Sequence, residues 1–303
     1  MKLTPLTTKD YQRYKHFFKH QRYRLCGYSL PSMIVWRNEE YHPCAMVQDD
    51  ALIIGTEFRH QQENRHLLLP ISPEKEAPPE DLRDLAHSLG HGQFWFVPED
   101  YIDQFGKDRI EALFRIEPHG PYDDYVYLQK NLADLGGNRY SKKRNLINQF
   151  LRRYSLTDQV QVEEATSADA DECAEFIEAW CEERECEADE QSDLACEKLA
   201  TLNAIWQMDQ LEINALLLRI DGKICAFGVG SYLTDEMGVL HFEKAFSRIK
   251  GLYQYFDREC ARQLFKDDTY INKESDMGEA NLAKAKKSYH PVSMVRAYKL
   301  RLR

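Results

Sequence analysis

Three consecutive strand-like runs, rich in apolar residues, mark the second half of the chain, over 213–220, 224–233 and 237–246. Short apolar runs bounded by turn residues predict strands. The first two runs are joined by Asp221-Gly222, a pair suited to the left-handed conformations of a tight hairpin turn. Ahead of them, "QVQVEEA" (159–165) reads as a strand and "SADADECAEFIEAWCEE" as a helix with Ser167 as its cap and acids in its first turn. Leu194, Leu199, Leu202 and Trp206 then recur near the helical period and predict a second helix. Past the three strands, the pattern predicts a helix over 251–265, a strand in "DTYIN", a helix over 279–289 and a strand in "VSMVRAYKLRL". The predicted order is β-α-α-β-β-β-α-β-α-β.

The first half echoes this order of elements but not the residues. A helix is expected over 8–20 and short strands near 33–36, 44–48, 51–55 and 66–71. The Pro-rich link "SPEKEAPPE" leads to a helix over 80–89, a strand "QFWFV", a short helix over 99–106 and strands "EALFRIE" and "DYVYLQ". The echo predicts a structural duplication with a diverged first copy, against the alternative of one continuous α+β domain. Between the halves, Gly136-Gly137 breaks the chain and Asn138 caps a helix. Its apolar stripe is Ile147, Leu151 and Tyr154, with Arg139, Lys142, Gln149 and Arg153 on another face. The expected organisation is a first domain over 1–129, a basic connecting helix within 130–157 and a second domain over 158–303.

Composition narrows the class. With 43% hydrophobic residues, the 303-residue chain has enough apolar surface for a sizeable core. No window of 18 consecutive apolar residues is present, so no membrane-spanning helix is expected. The N-terminal sequence has no apolar signal-peptide core, and the expected location is the cytoplasm. The eight cysteines are scattered without a CxxC pair, so reduced thiols are expected. A net charge of -10 argues against generic nucleic-acid binding. The charge is polarised, however: residues 138–157 carry six Arg or Lys and no acid, whereas acids dominate 169–197. Serine-hydrolase, P-loop and zincin motifs are absent, and no His/Cys/acid spacing suggests a metal.

The candidate chemistry gathers between His241 and Pro291. Alternation places His241 and Glu243 on one face of their strand, with Lys244 among apolar neighbours on the other. Glu243 suits a general base that takes a proton from an attacking amine or hydroxyl, with His241 as orienter or alternative base. The loop "SRIKG", with Arg248, Lys250 and Gly251, runs from strand to helix and is placed to hold an anion such as a pyrophosphate. Tyr253 is expected to face the same cleft. Lys244, Asn272, Glu274 and Asp276 are candidate substrate contacts. Arg139, Lys142, Lys143 and Arg144 are candidates for tracking nucleic-acid phosphates, or for pairing with the acidic region.

Four separated blocks, "NLADLGGNRYSKKRNLINQF", "HFEKA…GLYQY", "NKESDMG" and "LAKAKKSYHP", resemble a bacterial family grouped with the C-terminal domain of phosphatidylglycerol lysyltransferases. The resemblance implies a tandem GNAT-like fold, similar to Fem-type aminoacyltransferases, with mixed, mostly antiparallel sheets flanked by helices in an α+β chain. It implies transfer of an acyl or aminoacyl group, with aminoacyl-tRNA or a coenzyme A thioester as donor and a small-molecule, peptide or lipid-headgroup amine or hydroxyl as acceptor. It also implies that Asn281 sits at the donor and that Tyr289 protonates the leaving group. The competing expectations are a coenzyme-A-dependent N-acetyltransferase and a non-catalytic RNA- or peptide-binding protein on a transferase fold.

Overall fold

The structure, a computed structural model, describes residues 2–154, 160–184 and 193–303, with the side chains of 193–196 left out. Two seven-stranded sheets organise it. The first runs, in spatial order, Thr4–Pro5, Tyr41–Gln48, Ala51–Phe58, His66–Leu67, Gln93–Pro98, Ala297–Leu302, Phe114–Pro118. The second runs Val160–Glu164, Ile213–Ile220, Lys223–Thr234, Met237–Ala245, Tyr270–Asn272, Asp124–Leu128, Ser293–Val295. In both, only the fourth and fifth strands pair in parallel. The two sheets thus share one order and one pattern of directions, the tandem GNAT-like arrangement in a mixed, mostly antiparallel α+β chain.

The sixth place in each sheet is filled from the other half. Strand Asp124–Leu128, which precedes the connecting helix, pairs with Tyr270–Asn272 and Ser293–Val295 of the second sheet. Strand Ala297–Leu302 pairs with Gln93–Pro98 and Phe114–Pro118 of the first. Divisions at 129 and 158 therefore follow chain order, while the sheets trade one strand each across them. A continuous apolar core joins residues of both sheets. A smaller cluster of Leu135, Tyr140 and Ile147 seats the connecting helix Ser141–Tyr154, which also buries Phe150.

The three strands 213–220, 223–234 and 237–245 form where the strand-like runs predict them, and Asp221 and Gly222 both take positive φ in the hairpin between. Several first-half expectations change. The apolar run near 33–36 belongs to a helix, Leu30–Val35, because the Ser29 hydroxyl accepts the Ser32 N–H at 3.3 Å and Pro31 fits the first turn. The helix expected over 8–20 is broken into three short turns that bury Tyr11, Tyr14, Phe17 and Phe18. The strand expected over 66–71 is two residues long, and Pro70 follows it. The closing strand divides at Arg296, one piece in each sheet. Cys26, Cys44, Cys173, Cys225 and Cys260 are free, whereas Cys181 is disulfide-bonded, contrary to the expectation of reduced thiols. Cys186 and the Cys196 side chain lie outside the described residues.

Candidate functional site

Strand Met237–Ala245 pairs with Lys223–Thr234, and one register shift decides which side chains meet. Phe242 lies opposite Val229 and Leu240 opposite Gly230, so His241 is the extra residue of a bulge. The bulge resets the alternation. Glu243 lies opposite Gly228, where a Cβ would meet Cys260 and Phe256 of helix Leu252–Gln263. His241 instead bonds Ser231 on the opposite face at 2.8 Å. The expected shared face of His241 and Glu243 is therefore corrected: they serve two separate clusters.

On the helix side, Glu243 accepts a hydrogen bond from the Lys273 ammonium at 2.9 Å, and Lys273 also donates to Asp257 at 2.6 Å. Asp257 is buried on helix Leu252–Gln263, and the Lys273 ammonium lies 5.4 Å from the centre of the Tyr289 ring. Burial, and then the neighbouring Asp257 carboxylate, push the Glu243 carboxyl well above the ordinary carboxylate range, against the pull of Lys273. Burial pulls the Lys273 ammonium down, but Asp257 and Glu243 outweigh it and raise it above the usual lysine value. Burial, Asp257 and Glu243 together raise the Tyr289 phenol. The outcome is a carboxyl that exchanges its proton more readily near neutrality and a protonated phenol, held in one cluster.

Lys143, from the connecting helix, completes this cluster. Its Nζ lies 3.6 Å from the Tyr289 ring centroid and donates to the Ser288 hydroxyl at 2.7 Å. It is thereby separated from the other basic residues proposed to track phosphates. Arg144 donates to the carbonyls of Leu135 and Gly137, closing the turn before its own helix. Arg139 and Lys142 are exposed. The acids of helix Ala170–Arg184 turn elsewhere: Glu172 to Arg219, Glu178 to Lys198 and Glu183 to Arg248.

The His241 cluster joins the halves. Its Nε2 faces the hydroxyls of Ser231 and of Ser29, the latter 3.3 Å away, and its Nδ1 lies 2.9 Å from Glu274. Glu274 has a positive φ of 57°, held because its N–H donates to Asn272 at 2.6 Å and Lys286 donates to the carbonyls of Lys273, Glu274 and Ser275. Asn272 is fully buried and donates to Asp124 and to the Arg24 carbonyl. Asp276 accepts from the Tyr125 hydroxyl at 2.6 Å. These candidate substrate contacts thus shape the loop that carries Lys273. A neutral Lys286→Met side chain would free three carbonyls, so it should lower the urea midpoint by about 1–3 kcal/mol of stability, read by fluorescence-monitored unfolding.

The basic loop is already engaged. The Glu183 carboxylate accepts from the N–H and hydroxyl of Ser247 and pairs with Arg248. Gly251 adopts φ 84°, and a Cβ there would lie 2.2 Å from the Leu146 carbonyl oxygen of the connecting helix. Its glycine is thus required by packing. Gly251→Ala should destabilise by more than about 1 kcal/mol, seen as a lower denaturation midpoint. Lys250 is exposed, Tyr253 is half-buried with its hydroxyl 3.3 Å from the Trp180 indole nitrogen, and Lys244 is buried against Glu197 and the Trp180 ring. Asn281 is exposed on helix Ala280–Lys287. A cavity of about 590 Å³ at the far end of helix Leu252–Gln263 is lined by Ser231, the partner of His241, but by none of the site residues expected from sequence.

Asp257 and Lys273 are the site residues that pattern reading passed over. Asp257 carries a signal: it interrupts the apolar stripe of Leu252, Phe256 and Cys260. Lys273 has none beyond its place at a strand end.

Similarity to known proteins agrees with this architecture. A conserved protein of unknown function from Bacteroides thetaiotaomicron is 26% identical, with a TM-score of 0.88 and 99% of each chain covered. The C-terminal domain of a protein named as a candidate lysylphosphatidylglycerol synthetase from Agrobacterium fabrum shares the fold. It has a TM-score of 0.65 at 14% identity, covering 97% of this chain and 91% of that one. An uncharacterised protein of Mycoplasmoides gallisepticum is 26% identical over 180 residues, which are 59% of this chain and 56% of that protein, so the match spans little more than half of that relative. The family model described as "Phosphatidylglycerol lysyltransferase, C-terminal" matches residues 20–301. With that match running nearly end to end, the chain belongs to the phosphatidylglycerol lysyltransferase C-terminal family.

Proposed function

We propose that the chain transfers an acyl or aminoacyl group to an amine or hydroxyl, with Glu243 as general base and Tyr289 as the proton donor to the leaving group. The observation that carries this reading is the cluster in which Lys273 bonds a half-buried Glu243 and Asp257, with its ammonium 5.4 Å from the centre of the Tyr289 ring. Glu243 takes the proton that an attacking nucleophile must lose, and Tyr289 returns one to the departing oxygen or sulfur.

The donor we favour is aminoacyl-tRNA rather than a coenzyme A thioester. Arg248, the cation best placed for a pyrophosphate, is paired with Glu183. Exposed Arg139, Lys142, Lys284 and Lys287 flank the helix end that leads to Tyr289, which suits a polyanionic donor. No helix among the described residues is long and apolar enough to cross a membrane; the acceptor class we propose is a small molecule, peptide or lipid headgroup. The experiment is transfer of label to a pooled set of amine and hydroxyl acceptors from bulk tRNA charged with radiolabelled amino acids, or from labelled acetyl coenzyme A. Label should move from tRNA, and Glu243→Gln and Tyr289→Phe should remove most of that rate. Equal rates for both variants and the unaltered protein would refute the reading. Arg139→Glu with Lys142→Glu should weaken tRNA retention in a filter assay and flatten its salt dependence by about two phosphate contacts.

A further inference from the structure

The connecting helix and the turn just before it reach the proposed site through Lys143 and Tyr140, three residues apart. The Tyr140 hydroxyl donates to the Tyr289 carbonyl at 3.0 Å, and Lys143 sets its ammonium 3.6 Å from the centre of the Tyr289 ring. Ser288, the other Lys143 partner, is the residue just before Tyr289. The turn before the helix is closed by Arg144, which fixes where Tyr140 and Lys143 point. The four remaining cations of this segment, Arg139, Lys142, Arg152 and Arg153, are exposed. A half-buried ammonium over an aromatic face is attracted by the ring and far more by a charge that develops on it.

We propose that Lys143 is a positioning residue of the transfer site, holding the Tyr289 ring and offsetting the negative charge left on its oxygen as the proton departs. This rests on Tyr289 being the proton donor. In that step the acceptor's nitrogen or oxygen has bonded to the acyl carbon, and the bond from that carbon to the leaving oxygen or sulfur breaks with its electron pair. The phenol O–H bond breaks, and the proton goes to that leaving atom. The phenolate regains a proton from Glu243, which took it from the acceptor, so the protein ends unchanged. Lys143 exchanges no atom; it lowers the cost of the charge. The connecting helix is then part of the transfer machinery as well as a bridge between sheets.

The test compares Lys143→Met, Lys143→Ala and Lys143→Arg with Arg152→Met, using the labelled donor that the unaltered protein turns over. Lys143→Met should lower kcat roughly 10- to 100-fold with KM nearly unchanged. Lys143→Arg should recover most of that loss, and added ethylammonium should partly restore Lys143→Ala. Arg152→Met, at an exposed position of the same helix, should leave kcat intact. Unchanged kcat in Lys143→Met, while Glu243→Gln and Tyr289→Phe lose activity, overturns this inference and leaves the transferase reading standing. Unchanged rates in all of them overturn both. A second measurement needs no substrate: the ring-carbon NMR signal of ¹³C-labelled tyrosine, assigned through Tyr289→Phe. It should shift in Lys143→Met and not in Arg152→Met, with melting curves confirming that both variants are folded. A Tyr289 signal indifferent to Lys143 overturns the inference by itself.

Discussion

Residues 1–129 and 158–303, produced separately, will not fold into two independent domains. Each half lacks a strand that sits inside its sheet. Without Ala297–Leu302, Gln93–Pro98 and Phe114–Pro118 lose the partner that both pair with, and the buried Leu300 and Ala297 leave the core. Without Asp124–Leu128, Tyr270–Asn272 and Ser293–Val295 are left unpaired on that side, and the buried Tyr125, Val126 and Tyr127 go with it. A missing inner strand exposes two rows of backbone donors and acceptors, which invites aggregation. Deleting only residues 297–303 should do nearly the same to the first sheet. Circular dichroism and limited proteolysis will check this. Both half-chains should be insoluble or lack a cooperative melt, while co-expression of 1–154 with 158–303 should yield one soluble complex. A cooperative, monomeric melt from 158–303 alone would contradict the interlocked arrangement.

This exchange was invisible in the residue pattern, for a physical reason. Alternation reports which faces of a strand are buried, but not which partner lies beside it. Asp124–Leu128 and Ala297–Leu302 read as strands from their own residues, yet their neighbours are set by contacts roughly 150 to 200 positions away. The run Met33-Ile34-Val35-Trp36 shows another limit, since a short apolar stretch suits a buried strand and a buried helix equally. Ser29 and Pro31 held the deciding information. At the candidate site, Glu243 stood out on its strand, whereas Tyr289 stood out only through the family resemblance of its helix. The bulge that separates His241 from Glu243 was not legible, because it depends on the register with Lys223–Thr234. Gly251 was legible as a special position, but its cause is the Leu146 carbonyl behind it rather than a ligand in front.

Glu243→Gln should remove activity without loss of stability, and that combination separates a general base from a structural ion pair. As a base, Glu243 contributes about 10²–10⁴ in rate, all of which an amide forfeits. The activity of the unaltered protein should rise with pH on a limb displaced above the ordinary carboxylate range, because burial and Asp257 make the Glu243 carboxyl hold its proton longer. Stability runs the other way. A carboxyl that binds its proton more tightly folded than unfolded contributes stability that is fully present below its unfolded value, 4.5, and is lost as pH rises through its higher folded value. Across that window the unaltered protein should weaken relative to Glu243→Gln, which does not titrate. Lys273 keeps Asp257 as a partner in the variant, so no ammonium is left unpaired. At pH 8, Glu243→Gln should therefore melt at the same temperature as the unaltered protein or higher. If it instead loses the 3–5 kcal/mol or so expected for breaking a buried ion pair, Glu243 is the structural counter-ion of Lys273 and the base must be sought elsewhere in the cluster.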